Sequence, residues 1–189
     1  MDKAFLITQL NAIKDARRVN RLRVSQLVLE NKILFPFLLE IVFDTTNKTS
    51  IKAAWILEFV CVEKIEWLLP HLDYFCDNID KVKFDSAIRP VSKICEFLAK
   101  AYTSKKESPF KTHLTKKHID IITEVGFDWL IGKQKIAVKA YTMEMLYLFG
   151  KNYNWVHEEL RLVLQQNLSN ESPGYQARGK KIVNLINKK

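Results

Sequence analysis

Apolar positions recur at helical spacing along most of the chain. Ile65, Leu68, Leu69, Leu72, Phe75, Cys76 and Ile79 follow the i, i+3, i+4, i+7 rule, while Glu63, Glu66, Asp73 and Asp77 fall on the opposite side. A second stripe runs through Ile88, Val91, Ile94, Cys95, Leu98, Ala101 and Tyr102, and a third through Val156, Leu160, Val163 and Leu164. The same periodicity predicts helices over residues 3–14, 17–30, 32–43, 50–61, 117–131, 136–149 and 176–187. Thr49 or Ser50 is placed to cap the helix that begins at Ile51, and Asp85 or Ser86 the one that begins at Ile88. The start near Thr115 or Lys116 has no cap of comparable clarity. Pro36 and Pro70 interrupt apolar helical patterns, where a missing N–H predicts a kink. Thr103 to Pro109 and Asn167 to Gly174 are polar, breaker-containing stretches that predict exposed loops.

The helices carry a recurring opening, a basic residue beside a small or apolar one. Ile51-Lys52-Ala53 and Val138-Lys139-Ala140 are the clear copies; Ile88-Arg89-Pro90 and Ala177-Arg178-Gly179 are looser ones. The steps from Lys52 to Arg89 to Lys139 to Arg178 are 37, 50 and 39 residues, the range of two-helix repeats. One such unit cannot bury its apolar side alone, so neighbours must stack and leave an outer surface free for binding. The expectation is an all-α chain, residues 1–189 forming a single domain: a right-handed α-α superhelix of about ten helices. Lys52, Arg89, Lys139 and Arg178 are then expected at equivalent places near the starts of inner helices.

Composition narrows the class. Hydrophobic residues make up 48% and charged residues 27%, which a disordered chain would not show. Five Gly and five Pro are few, in keeping with long helices. Met1 to Leu6 lacks a signal-type apolar core, and the richest apolar stretch, Ile33 to Phe43, is short and contains Pro36 and Glu40. A cytoplasmic, non-membrane protein is expected. Cys61, Cys76 and Cys95 are odd in number and lie in apolar helical stripes, so reduced core thiols are expected rather than disulfides.

Charge changes the picture more than composition does. The formal net charge is +9, distributed in blocks: +4 over residues 1–33, −5 over 34–80, +7 over 81–118, −2 over 119–175 and +5 over 176–189. Arg17, Arg18 and Arg21 share one predicted helical face, and guanidinium groups suit carboxylates and phosphates. Such a stripe can contact a nucleic-acid backbone, although no aromatic residues are interleaved with it and no recognised nucleic-acid motif accompanies it. Glu58 and Glu144 stand out as carboxylates on otherwise apolar helices, where they would either line a binding groove or pair with a nearby Lys or Arg. Trp55, Trp67, Trp129 and Trp155 all fall in apolar patterns that predict core packing. Two of them facing a groove with Glu58 would instead make an aromatic-acidic pocket for a cationic ligand or an extruded base.

Catalytic and metal motifs are missing. His113 and His118 are five residues apart, which separates them around a helix, and His157-Glu158-Glu159 lacks the second histidine of an HExxH motif. There is no CxxC, P-loop, GxGxxG or GxSxG. No metal and no cofactor are expected.

Lys52-Ala53-Ala54-Trp55-Ile56-Leu57-Glu58, Trp67 to Asp73, Phe84 to Pro90, Lys139-Ala140-Tyr141 and Tyr147 to Gly150 resemble a family of small bacterial all-helical proteins. Its members are HEAT-like α-α superhelices, often catalogued under the name adenylosuccinate lyase. The resemblance covers roughly residues 10 to 187. It implies the superhelical fold and, through the catalogue name, a lyase activity. The Gly-Ser-Ser-x-Met-Pro-x-Lys-x-Asn loop of true lyases of that superfamily is absent here. A fainter similarity is to HEAT-like DNA alkylation-repair glycosylases, which cradle DNA in a basic surface. The sequence therefore predicts a non-enzymatic binding or scaffold module that holds a protein or peptide segment or an anionic surface in a concave groove. The binding residues expected are Arg17, Arg18, Arg21, Lys52, Glu58, Arg89, Lys139 and Arg178. A HEAT-like nucleic-acid binder is the second reading and lyase activity the third.

Overall fold

A computed structural model describes residues 1–188, and every regular element in it is helical. In chain order these are α1 (Lys3–Asn11), α2 (Arg18–Glu30), α3 (Phe35–Val42), α4 (Thr49–Lys64), α5 (Leu72–Cys76), α6 (Asp85–Tyr102), α7 (Phe110–His113), α8 (Lys116–Ile131), α9 (Ile136–Phe149), α10 (Asn154–Asn167) and α11 (Pro173–Asn187). Short 3₁₀ segments occupy Lys32–Leu34, Ile65–His71 and Ile79–Lys81.

Local chemistry sets most of the boundaries. Asp2 accepts the Phe5 N–H at 2.9 Å and starts α1, and Ser172 with Pro173 starts α11. At α4 the capping acceptor is Asn47 Oδ1, which takes the Thr49 N–H at 2.9 Å; Thr49 and Ser50 lie inside the helix. Asp85 and Ser86 likewise fall within α6. Thr115 is a stronger cap than its sequence suggests. It and His118 form a reciprocal box, with the His118 ring accepting the Thr115 N–H at 3.2 Å. Histidine here fills the place usually held by Glu or Gln, which is why pattern reading passes over it.

The prolines depart from expectation. Pro36 sits in the first turn of α3, where a missing N–H costs little, so it opens a helix instead of kinking one. The four-turn stripe from Ile65 to Ile79 is not one α-helix but the 3₁₀ segment Ile65–His71, the single turn α5 and a second 3₁₀ segment. Pro70 cannot donate to the carbonyl one turn earlier, and the chain winds more tightly through it. The apolar pattern survives the change: Leu68, Leu72, Phe75, Cys76 and Ile79 are all at most 3% exposed.

The chain forms two compact units, Met1–Ile94 and Cys95–Lys189, with α6 contributing its first part to one and its last part to the other. In the first, α4 packs against α1, α2, α3 and the Ile65–His71 segment. Its Ala53, Ala54, Ile56, Leu57 and Val60 are fully buried. In the second, α9 packs against α8, α10 and α11 through residues such as Val138, Met143, Leu146 and Phe149. Each fully buried Leu, Ile, Val or Phe contributes about 1.5–3 kcal/mol relative to exposure, so these two central helices anchor their units. Gly150 closes α9 where a Cβ would fall onto the His157 ring, which stacks on Tyr147 and donates from Nε2 to the Tyr147 carbonyl, 2.8 Å away.

Candidate functional site

The outer side of α4 carries Lys52, Trp55 and Phe59 at i, i+3 and i+7, the residues left over once the opposite side enters the core. α2 lays Arg18 and Arg21 beside it. The Arg21 guanidinium stands 5.0 Å from the Phe59 ring centre and 5.9 Å from Trp55, and Arg18 stands 6.0 Å from Phe59. From the other side, the α6 residues Arg89 and Lys93 reach Glu58. Arg89 makes a forked contact, Nη2 to Oε2 at 2.5 Å, and Lys93 Nζ lies 2.9 Å from Oε1.

Glu58 is nearly buried, with an 8% exposed side chain, and four cations surround it or its aromatic neighbours. Loss of water lowers the Arg21 pKa; the Glu58 charge opposes that, while Arg89 and Arg18 add to it. Arg21 Nε is buried with no hydrogen-bond partner. The cluster is thus cation-rich around one carboxylate, the reverse of the aromatic-acidic pocket that Trp55 and Glu58 suggest on sequence alone. Only one tryptophan takes part. Trp129 is 6% exposed and belongs to the core, Trp67 lies under Lys32, and Trp155 is 48% exposed against Phe127.

Trp55 has a second role. Its indole N–H donates to the Ser86 carbonyl at 3.1 Å. Pro90, four residues on in α6, has no N–H for that carbonyl, so the indole supplies the donor that the helix lacks.

The other sequence-derived residues fall elsewhere. Arg17 precedes α2 and pairs with Asp15 at 2.8 Å, apart from Arg18 and Arg21. Lys52 Nζ donates to the Asn11 carbonyl at 3.1 Å. Lys139 is 6% exposed, bonds Glu171 at 2.5 Å and sits 5.4 Å from the Tyr175 ring centre, tying the α10–α11 loop to α9. Arg178 meets Glu144 at 3.5 Å. The four basic residues do lie in the first two turns of α4, α6, α9 and α11, but they divide into two kinds. Arg89 and Arg178 each reach back to a glutamate on a preceding helix, Glu58 or Glu144, and each glutamate follows an aromatic residue three positions earlier, Trp55 or Tyr141. Lys52 and Lys139 share no such partner. Sequence reading missed Phe59 and Lys93. Their signals are the i+4 steps from Trp55 and Arg89, which keep each on the face of a residue already singled out.

Among the described residues no group of His, Cys, Asp and Glu is arranged to hold a metal ion, and no helix is long and apolar enough to cross a membrane. Helices packed around two central helices, with an Arg–Glu rung from each central helix to the second helix after it, define a helical-repeat protein. The model of the HEAT repeat domain matches residues 8–186, and the chain belongs to that family. No curated protein and no solved structure matches it.

Proposed function

We propose that the protein is a non-enzymatic HEAT-type binding module of the cytoplasm, one repeat domain from end to end, whose α2–α4–α6 surface holds an acidic segment of a partner protein. The observation that carries this reading is the imbalance around Glu58. Arg89 and Lys93 pair with this carboxylate, Arg21 feels its charge and Arg18 lies over the neighbouring Phe59 ring, and Arg21 pays part of its desolvation cost before any partner arrives. A carboxylate from a partner adds the missing counter-charge, and Trp55 and Phe59 offer apolar area beside it. The mixture of aromatic and guanidinium groups is the composition found at protein-binding hot spots.

The alternative reading is a nucleic-acid binder, which the same excess charge favours. A labelled glutamate-rich peptide carrying one Leu or Phe, titrated at rising salt, distinguishes them. Saturable peptide binding that weakens about 10-fold or more in Arg21→Ala, with helix content unchanged, is expected. Duplex or single-stranded DNA binding more tightly than the peptide, with a steep salt slope, would transfer the assignment to the alternative. Peptide affinity untouched by Arg21→Ala would remove this surface from consideration.

A further inference from the structure

Tyr102, Thr103, Ser104, Lys111, Lys151 and Asn152 line an open cleft of about 360 Å³ in the second unit, remote in sequence from the Arg21 cluster and independent of it. The cleft forms where α6 ends. Thr103 Oγ1 donates to the Ala99 carbonyl at 2.7 Å and Ser104 Oγ accepts the Lys106 N–H at 3.1 Å, so both hydroxyls are held in place. Tyr102 is hydrogen-bonded to the Tyr153 side chain. Lys151 Nζ stands 5.0 Å from the centre of the Tyr147 ring, and Lys111 is contributed by the single turn α7.

The lining is one-sided in its chemistry. It contains two ammonium groups, three hydroxyls and one amide, and no carboxylate. Lys111 makes no ion pair among the described residues, and Lys105 and Lys106 add charge on the same loop. Lys105, Lys106 and Lys111 all fall in the most basic block of the sequence, residues 81–118. Donors that arrive from three separate chain segments suit an oxyanion with three terminal oxygens better than a planar carboxylate with two. The volume lies at the small end of ligand sites, so it admits the anion with a compact organic group, against which Tyr102 is the one aromatic wall.

We propose that this cleft binds a small phosphomonoester, with Lys111 and Lys151 as the charge partners of its phosphate and Ser104 and Asn152 as hydrogen-bond donors. The ester is bound, not cleaved. Binding strengthens as the phosphate takes its second negative charge, with the ester's second pKa near 6.

Calorimetric titration of the full chain at low salt with phenyl phosphate, inorganic phosphate and benzoate tests this. Phenyl phosphate is expected to bind more tightly than either comparator. Lys111→Gln and Lys151→Gln should each weaken it by about 10-fold, and the double variant should abolish it. Lys105→Gln, which removes the same charge outside the cleft, should leave affinity within about 2-fold of the unaltered chain. These lysines are exposed, so far-UV circular dichroism should confirm an intact fold in each variant. Equal weakening by all three single variants would show only diffuse attraction and overturn the proposal. So would inorganic phosphate binding as tightly as phenyl phosphate, or phenyl phosphate affinity unchanged in the double variant.

Discussion

At Tyr175 the ring and the hydroxyl work against each other. The residue is fully buried and its ring supports Lys139, yet its hydroxyl has no hydrogen-bond partner. An orphaned buried hydroxyl costs on the order of 1 kcal/mol. Burial first, then the Glu171 charge, pushes the phenol from 10.0 up to about 12. An unfolded chain releases this proton near the ordinary value, whereas the folded chain holds it until about 12. Unfolding therefore releases a proton within that window, and stability falls as pH rises through it; below the window the contribution is fully present. Tyr175→Phe should raise unfolding free energy by about 1 kcal/mol at neutral pH and flatten the alkaline decline. Urea melts at neutral pH and at about pH 11 read both effects. A Phe variant that is less stable at neutral pH and equally pH-sensitive would show that the hydroxyl is satisfied.

Helix α6 shows how an element tolerates a residue that ought to break it. Pro90 deprives the Ser86 carbonyl of its usual donor, and Trp55 on α4 supplies another. The two sites are therefore coupled across the α4–α6 contact. Trp55→Phe should cost about 1 kcal/mol where Pro90 is present and less in a Pro90→Ala background, where the helix provides its own N–H. The loss of the Arg21 contact is common to both backgrounds and cancels in the cycle. Additivity of the two substitutions, measured by thermal or urea unfolding, would sink the idea. At this scale the sequence is readable where periodicity decides and opaque where proline chemistry does. The buried set Leu68, Leu72, Ile94, Cys95 and Leu98 follows directly from spacing. The change from α to 3₁₀ winding at Ile65 does not, because the core-facing pattern is nearly the same for both. The His118 cap was hidden for another reason: its role depends on a ring nitrogen, not on a residue type associated with caps.

For the whole molecule, the helical class and the repeat architecture were legible from recurrence and the family from resemblance, but the pairing of charges was not. Helical spacing places Arg17, Arg18 and Arg21 on one face, and only the start of α2 after Arg17 and its packing on α4 separate Arg17 from the other two. Block charges also assign Glu58 to an acidic region, whereas its nearest ionic partners, Arg89 and Lys93, come from the basic block that follows. The same residue-level detail bears on the adenylosuccinate lyase activity that the sequence resemblance implies. Eliminating fumarate needs a base for a carbon-bound proton, an acid for the leaving nitrogen, and cations for several carboxylates and a phosphate. The cations exist at α2, α4 and α6. The histidines, however, are committed to the fold: His118 to the α8 cap, His157 to the Tyr147 carbonyl and ring, His113 to the Pro109 carbonyl at 2.8 Å, and His71 to the Phe35 ring. Burial, with a smaller effect from Lys32, lowers the His71 pKa and favours its neutral form. Glu58, the carboxylate nearest the cations, is held by Arg89 and Lys93. Purified protein should accordingly release no fumarate from adenylosuccinate above the buffer rate, followed by absorbance or by coupled assay. Turnover that persists through rigorous purification and disappears in His71→Gln or His157→Gln, with the fold intact by circular dichroism, would restore the enzyme reading.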